Sequence, residues 1–312
     1  MKDRIAIIGS GIAGMSAAYY LRNEFDVSIF EKNSYIGGHT NTVTVSEGDR
    51  DIPIDTGFMV YNETTYPNLV RLFEDLNVIT YNTSMSFGVQ NRNRALEYSS
   101  DGFSGFFAQK RNLLTPSHWR LYKQILTFFE SADHFLKSDP TTEITLSEFA
   151  KSYNLGDRVT TDFILPMAGA IWSTPPEGIQ SFPALPLLRF MQNHRMLGIG
   201  IQLQWKTVLK GSDQYKSKLL TSLPNAPRVN QSIASVSQTS KSASIKDHDG
   251  KEHHFDYVIL ATHANQALKL LESPTLVQKN LLSSFHYNRN KAILHTDHSV
   301  MPRNKRAWAS WN

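Results

Sequence analysis

The sequence predicts an α/β fold, and three observations within its first 31 residues carry the prediction. A β-branched apolar run, Ile5-Ala6-Ile7-Ile8, leads directly into Gly9, Gly11 and Gly14 in G-x-G-x-x-G spacing. These glycines open a helix-forming stretch, Met15 to Leu21. A second apolar run, Val27 to Phe30, then ends on an acid, Glu31, 17 residues after Gly14.

Strand, glycine turn, helix, strand and acid, in that order, make a Rossmann-like dinucleotide-binding unit, and each piece has a physical task. Gly9 permits the tight turn, Gly11 lets backbone approach a pyrophosphate, and Gly14 lets helix and strand pack closely. The phosphates then sit at the positive end of the helix, and Ile12 and Ala13, within the glycine turn, join the cofactor-binding candidates. Glu31 is placed to accept hydrogen bonds from an adenosine ribose, and Lys32 follows it.

At 312 residues, with 40% hydrophobic and 19% charged residues, the chain has the length of about two domains and an ordinary globular composition. No apolar run reaches membrane-spanning length, and the first strand starts almost at once, so a cytoplasmic location is expected, with no signal peptide. Zero cysteines exclude disulfides, thiolate metal sites and a cysteinyl flavin link, so redox chemistry must belong to a bound cofactor. Net charge is +4, with basic clusters at Arg92 and Arg94, Lys110-Arg111, and Arg303 to Arg306. They are read first as solvated surface, with contact to anionic lipid or to an acidic substrate as the alternatives. No nucleic-acid module accompanies them, so no nucleic-acid partner is expected.

Along the chain, Thr42 to Val45 reads as a strand, and leucines and Phe73 at helical spacing place a helix over about Tyr66 to Leu76. Thr115 and Pro116 open a long helix whose apolar face is expected to carry Trp119, Tyr122, Ile125, Leu126, Phe129 and Leu136. Thr145 to Glu148 has capping-box spacing. Farther on, Ser212 is expected to cap a helix reaching about Leu220, and Val229 to Val236 reads as a strand. Asp249-Gly250 turns a hairpin, and Tyr257 to Thr262 is a buried strand ending in small residues.

Beyond these local patterns, Gly37-Gly38-His39 resembles the Gly-Gly-(Arg or His) element that follows the ribose acid in FAD-dependent amine oxidases and phytoene desaturases. The resemblance implies FAD as the cofactor, with a second backbone approach to its pyrophosphate and ribityl chain. Longer matches span the chain: Asp55-Thr56-Gly57-Phe58, Phe107 to Leu114, Ala170 to Glu177, Leu260-Ala261-Thr262-His263-Ala264, and Arg306 to Asn312. Together they resemble the flavin-containing amine-oxidase-like family of NAD/FAD-binding oxidoreductases, related to the oxidase-like N-terminal regions of plant-type cyclopropane fatty acid synthases.

That resemblance implies a glutathione-reductase-like, amine-oxidase-type FAD domain formed by 1–60 and 204–262, with an inserted, mainly helical substrate domain formed by 61–203 and 263–312. It adds Thr40, Gly57, Phe58, Val229, Ala261 and Thr262 to the cofactor contacts, and His39 takes the place of the usual arginine beside the pyrophosphate. Tyr61 and Trp172 become candidates for the substrate pocket. Lys291, in a segment resembling the strand that holds a water near the flavin N5 in amine oxidases, is the catalytic candidate. Two departures stand out: relatives carry Gly-Gly where this chain has Lys210-Gly211, and the sequence stops at Asn312, soon after Trp308 and Trp311, as a C-terminally truncated member would.

His253-His254 and His295-x-x-His298 lack a supporting acid or an H-E-x-x-H pattern, so no metal is expected. The function expected is hydride removal from carbon, by preference on a lipid-like small molecule, with a cyclopropane-synthase-like enzyme as candidate partner. The alternatives are an amine oxidase acting on a C–H beside nitrogen and a flavin-binding accessory subunit without turnover.

Overall fold

The structure, a computed structural model, describes residues 2–138, 143–172, 176–200, 203–239, 242–287 and 289–312. Ser173 to Pro175 of the Ala170–Glu177 motif therefore lie outside the described residues. The chain forms two units, the first from Met1–Val60, Pro67–Tyr81 and Thr207–Ala292, the second from Tyr61–Tyr66, Asn82–Lys206 and Ile293–Asn312.

In the first unit, β1 (Arg4–Ile8), α1 (Ile12–Leu21) and β2 (Asp26–Phe30) follow one another as the spacing predicts. β1 is the central strand of a parallel sheet, between β2 and the strand Tyr257–Leu260, with Ile7 opposite both Ile29 and Ile259. Ile5 and Ile7 pack on one side with Ala18 and Val27, while Ala6 and Ile8 pack on the other with Phe30 and Phe255. Covered on both faces, β1 reads as a continuous apolar run instead of an alternating one.

This unit also carries the antiparallel pair Thr42–Glu47 and Arg50–Asp55, a three-stranded antiparallel sheet of Ile233–Gln238, Ala243–Asp247 and Glu252–Phe255, and the helices Pro67–Asp75, Asp213–Thr221, Ala264–Leu270 and Leu276–Ser283. Asp249-Gly250 does turn the hairpin between the last two strands of that sheet. The strand expected from Val229 starts only at Ile233, because Arg228 and Gln231 are tied to Glu31: Glu31 N–H donates to the Arg228 carbonyl at 2.9 Å, and Gln231 N–H to the Glu31 carbonyl at 2.9 Å.

Residues 67–81 and 263–292, expected in the helical region, belong to the first unit. Lys218 Nζ donates to the Leu76 carbonyl at 3.0 Å and Phe73 packs on Tyr215, while Glu272 N–H donates to the Val236 carbonyl at 3.1 Å. The strand expected around Asn290 to Leu294 is also absent: that segment is irregular and pairs with no strand among the described residues.

The second unit is mainly helical. Pro116–Lys137 is its longest helix and starts after Thr115 with Pro116 in its first turn. Its fully buried positions are His118, Leu121, Ile125, Phe128, Ser131, Ala132 and Phe135, a stripe rotated from the expected one. Trp119 is left 37% exposed, and Tyr122, Phe129 and Leu136 flank the core as partly buried residues. The stripe is set by the rings packed against it: Phe128 and Phe135 lie against Phe149, and His118 faces the Phe106 carbonyl. The Thr145–Glu148 capping box is present, with Glu148 N–H donating to Thr145 Oγ1 at 3.2 Å and Thr145 N–H to the Glu148 carboxylate at 2.8 Å.

Candidate functional site

The glycine turn of the first unit is shaped by close approach. A Cβ on Gly14 would lie 1.9 Å from the Gly9 carbonyl oxygen, so only glycine lets α1 start there. A Cβ on Gly11 would meet nothing within 4 Å, which leaves that side of the turn open. α1 has no side-chain cap and no acid in its first turn, and the N–H groups of Ile12 and Ala13 find no acceptor among the described residues. An open concavity with unpaired N–H groups at a positive helix end suits a pyrophosphate.

Glu31 follows β2 and is buried. Its carboxylate accepts from the Ser10 hydroxyl at 2.6 Å, from Ser10 N–H at 3.1 Å and from Asn33 N–H at 2.9 Å. Burial pushes its pKa up, but these hydrogen bonds and neighbouring Lys32 outweigh it and hold the carboxyl below its usual range. Ser10 Oγ also accepts from Gly37 N–H at 3.3 Å, and Gly11 and Gly37 form a parallel bridge. One hydroxyl thus joins the glycine turn, the acid and the glycine doublet. Ser10 was not among the candidates, although a hydroxyl residue between Gly9 and Gly11 was the available signal.

The other cofactor candidates lie in the same unit. Gly37 adopts φ +118° and Thr40 N–H closes that turn on the Gly37 carbonyl at 2.9 Å. Thr40 Oγ1 is 2.8 Å from the Tyr215 hydroxyl, whose pKa burial pushes up to about 12, and Phe58 packs edge-on against the same ring. Gly57 fits against His39, where a Cβ would sit 2.3 Å from the His39 carbonyl oxygen. The exposed His39 ring stacks at 6.3 Å on His263, which stacks on Tyr287 at 4.5 Å. Val229 occupies the turn hydrogen-bonded beside Glu31, and Ala261 N–H extends β1's ladder to the Ile8 carbonyl at 2.8 Å, with Thr262 next along the chain.

Ser212 does not cap its helix, Asp213–Thr221, with its own side chain. Its N–H and hydroxyl both donate to Asp55, at 2.9 and 2.7 Å, so the acid of Asp55-Thr56-Gly57-Phe58 serves that helix end. Just before it, Lys210 adopts φ +65°, a left-handed conformation that costs a non-glycine residue.

Lys291 is exposed in the irregular segment and is not gathered with these residues. Tyr61 and Trp172 fall in the second unit, Tyr61 buried and Trp172 packed between Phe182 and Phe190. Neither lines the cavity of about 380 Å³ in that unit, whose apolar wall includes Phe87, Tyr98, Phe106, Ile125, Phe163 and Trp205. Rings from sequence-distant segments build it, and no local pattern marked them. His194 lies on the same wall, with Nδ1 facing the Phe190 carbonyl at 2.9 Å and its ring stacked on Trp205. Trp311 lines it too and is held by the strand bridge to Phe87, so this tryptophan is packed within its own unit.

A parallel sheet with an open glycine turn and an acid hydrogen-bonded to that turn is the arrangement of a dinucleotide-binding unit. The chain belongs to the flavin containing amine oxidoreductase family, whose profile matches residues 12–310, and its cofactor is FAD. It is 22% identical over 206 residues to the 15-cis-phytoene desaturase of Synechococcus elongatus, covering 62% of this chain and 42% of that protein. Putrescine oxidase with bound putrescine shares the fold at a TM-score of 0.69 and 17% identity, covering 91% of this chain and 63% of that one. A CLA-producing fatty acid isomerase from P. acnes shares it at 0.61 and 14%, covering 90% and 63%. The chain thus spans less than two thirds of the length of these relatives. Among the described residues, no helix is long and apolar enough to cross a membrane.

Proposed function

We propose that the chain serves an FAD-dependent oxidoreductase that removes a hydride from a carbon of a lipid-like substrate, desaturating or oxidising it. The observation that carries the redox reading is the Ser10 junction between the glycine turn, Glu31 and Gly37. In this reading Ile12 and Ala13 N–H groups bind the pyrophosphate, Glu31 takes the adenosine ribose, and Gly37-Gly38 approaches the ribityl side. FAD, when bound, supplies the electron sink. The first unit is the FAD domain and the second the substrate domain.

The lipid-like substrate is supported by the apolar cavity of the second unit, of a size suited to a small ligand and walled mostly by rings and aliphatic side chains. Its residues exclude water and hold an apolar chain. The same aromatic wall, with Asp101 on the lining, supports the second reading, an amine substrate held by ring faces. Contact with a membrane surface, and pairing with a cyclopropane-synthase-like enzyme, belong to the lipid reading.

Anaerobic bleaching of the bound flavin separates the readings. Acyl lipids are expected to bleach it and amines to leave it oxidised; the reverse result establishes the amine reading, and no bleaching by either establishes an accessory role. For Lys291 we retain the water-holding role as part of the proposal: Lys291→Met is expected to slow flavin reduction or reoxidation about tenfold with an unchanged flavin spectrum. Unchanged rates in both half-reactions would remove Lys291 from the site.

A further inference from the structure

Three basic clusters, at 92–94, 110–111 and the distant 303–306, meet in the second unit. Arg92 Nη2 donates to the Ser299 carbonyl at 3.2 Å, and an Arg111 guanidinium nitrogen donates to the Ala95 carbonyl in the turn that carries Arg92 and Arg94. Buried Glu97 accepts from the backbone N–H groups of Arg303 and Asn304 at 2.9 and 2.8 Å, and Asn304 Nδ2 donates to the Ala108 carbonyl. The Arg303 to Arg306 segment is thereby fastened beside the other two clusters.

Most of the charge gathered there is unspent. Arg94 pairs with buried Asp162 at 3.7 Å, but Arg92, Lys110, Arg111, Arg303, Lys305 and Arg306 form no ion pair among the described residues, and all six are exposed. The nearby acids offset little: Glu97 is consumed by backbone N–H groups and Asp162 by Arg94 and Arg158, leaving exposed Asp101 and Asp297.

Large apolar side chains stand in the open next to this charge. Leu114 is 90% exposed and Leu113 42%, separated from Lys110-Arg111 only by Asn112, and Trp308, 37% exposed, lies under Lys305. Trp119 donates its Nε1–H to the Leu113 carbonyl at 2.9 Å and packs on Phe107, whose ring lies tilted at 4.5 Å from that of Phe103. Phe103 is 55% exposed, lines the apolar cavity and lies with its ring 6.2 Å from that of Trp119, so partly exposed rings lead from the cavity toward the basic cluster.

We propose that this face docks on an anionic lipid surface, with Leu113, Leu114 and Trp119 entering the bilayer interface, the basic residues holding its phosphates, and Phe103 at the point where a lipid chain passes into the cavity. A nucleic acid would satisfy the charge but would give a 90% exposed leucine no partner. The passage into the cavity rests on the lipid-like substrate proposed above; the docking surface does not.

The test is sedimentation of the FAD-loaded protein with vesicles of phosphatidylcholine alone and of phosphatidylcholine mixed with phosphatidylglycerol, read together with tryptophan emission. Binding to the mixed vesicles only, weakened by salt and accompanied by a blue shift, is expected. Lys110→Gln with Arg306→Gln should weaken partition roughly twenty-fivefold, and Leu114→Ser should weaken it and reduce the blue shift, with the flavin spectrum unchanged. No partition overturns the proposal, as does binding to RNA or heparin at least as tight as to the mixed vesicles with no effect of Leu114→Ser. Vesicle binding without flavin bleaching by acyl lipids would discard the substrate reading and keep the docking surface.

Discussion

The two candidate sites of this chain are made of different materials. Around Glu31 the first unit uses backbone: a glycine turn, unpaired helix N–H groups, and one carboxylate held by a serine hydroxyl and two main-chain donors. Around its cavity the second unit uses volume, with rings contributed by several strands and helices. Sites made of backbone demand particular residues at fixed spacing, whereas sites made of volume accept many residues of similar bulk. Substitutions should therefore fall hard on the first region and softly on the second.

The largest effect is expected at Gly14. Gly14→Ala forces a Cβ against the Gly9 carbonyl, so the turn must open; FAD retention on purification should be lost, and thermal melting should show a destabilised first unit. Retention of yellow protein would show that the cradle is more plastic than its packing implies. Glu31→Ala comes next, with FAD affinity falling about ten- to a hundredfold in a flavin-fluorescence titration, because a charged hydrogen-bonded group is lost. Because its folded-state pKa is depressed, the stabilisation from Glu31 is complete above the unfolded carboxylate pKa and lost as pH falls through the lower folded value.

In the second region the expected effects are smaller and bear on stability. Buried His118 directs Nε2 at the Phe106 carbonyl at 2.9 Å, while its Nδ1 has no partner among the described residues. Burial among aromatic rings pushes its pKa down from the usual 6.5. The unfolded chain therefore takes up a proton first, and stability is lost as pH drops below about 6.5 toward the lower folded value. Melting between about pH 7 and about pH 5 should shift down by a few degrees, and His118→Gln should flatten that dependence. An equal slope in the variant would assign the effect to other groups.

The same contrast decides what could be read from the residues alone. β1, the glycine turn, α1 and Glu31 were legible because each obeys a steric or electrostatic demand of its own. The Asp249-Gly250 turn and the Thr145–Glu148 cap were legible for the same reason. Ser10 escaped because its role exists only once Glu31 and Gly37 come to it from elsewhere in the chain. The long helix was placed correctly but turned, since the identity of its buried stripe depends on neighbours such as Phe149 and Phe163, which no local period encodes. Asp55 and Ser212 exchanged the expected capping role across 157 residues.

The position of β1 in its sheet has a consequence for how the polypeptide emerges from the ribosome. One neighbour, β2, follows within about 20 residues, but the other, Tyr257–Leu260, is separated from β1 by nearly the whole chain. At roughly 5–20 residues per second, tens of seconds pass before that partner is synthesised. Throughout that interval Ile5 to Ile8 presents an apolar strand with one bare edge. Nascent chains shorter than about 260 residues should engage strand-shielding chaperones, and release from them should coincide with the appearance of Tyr257–Leu260.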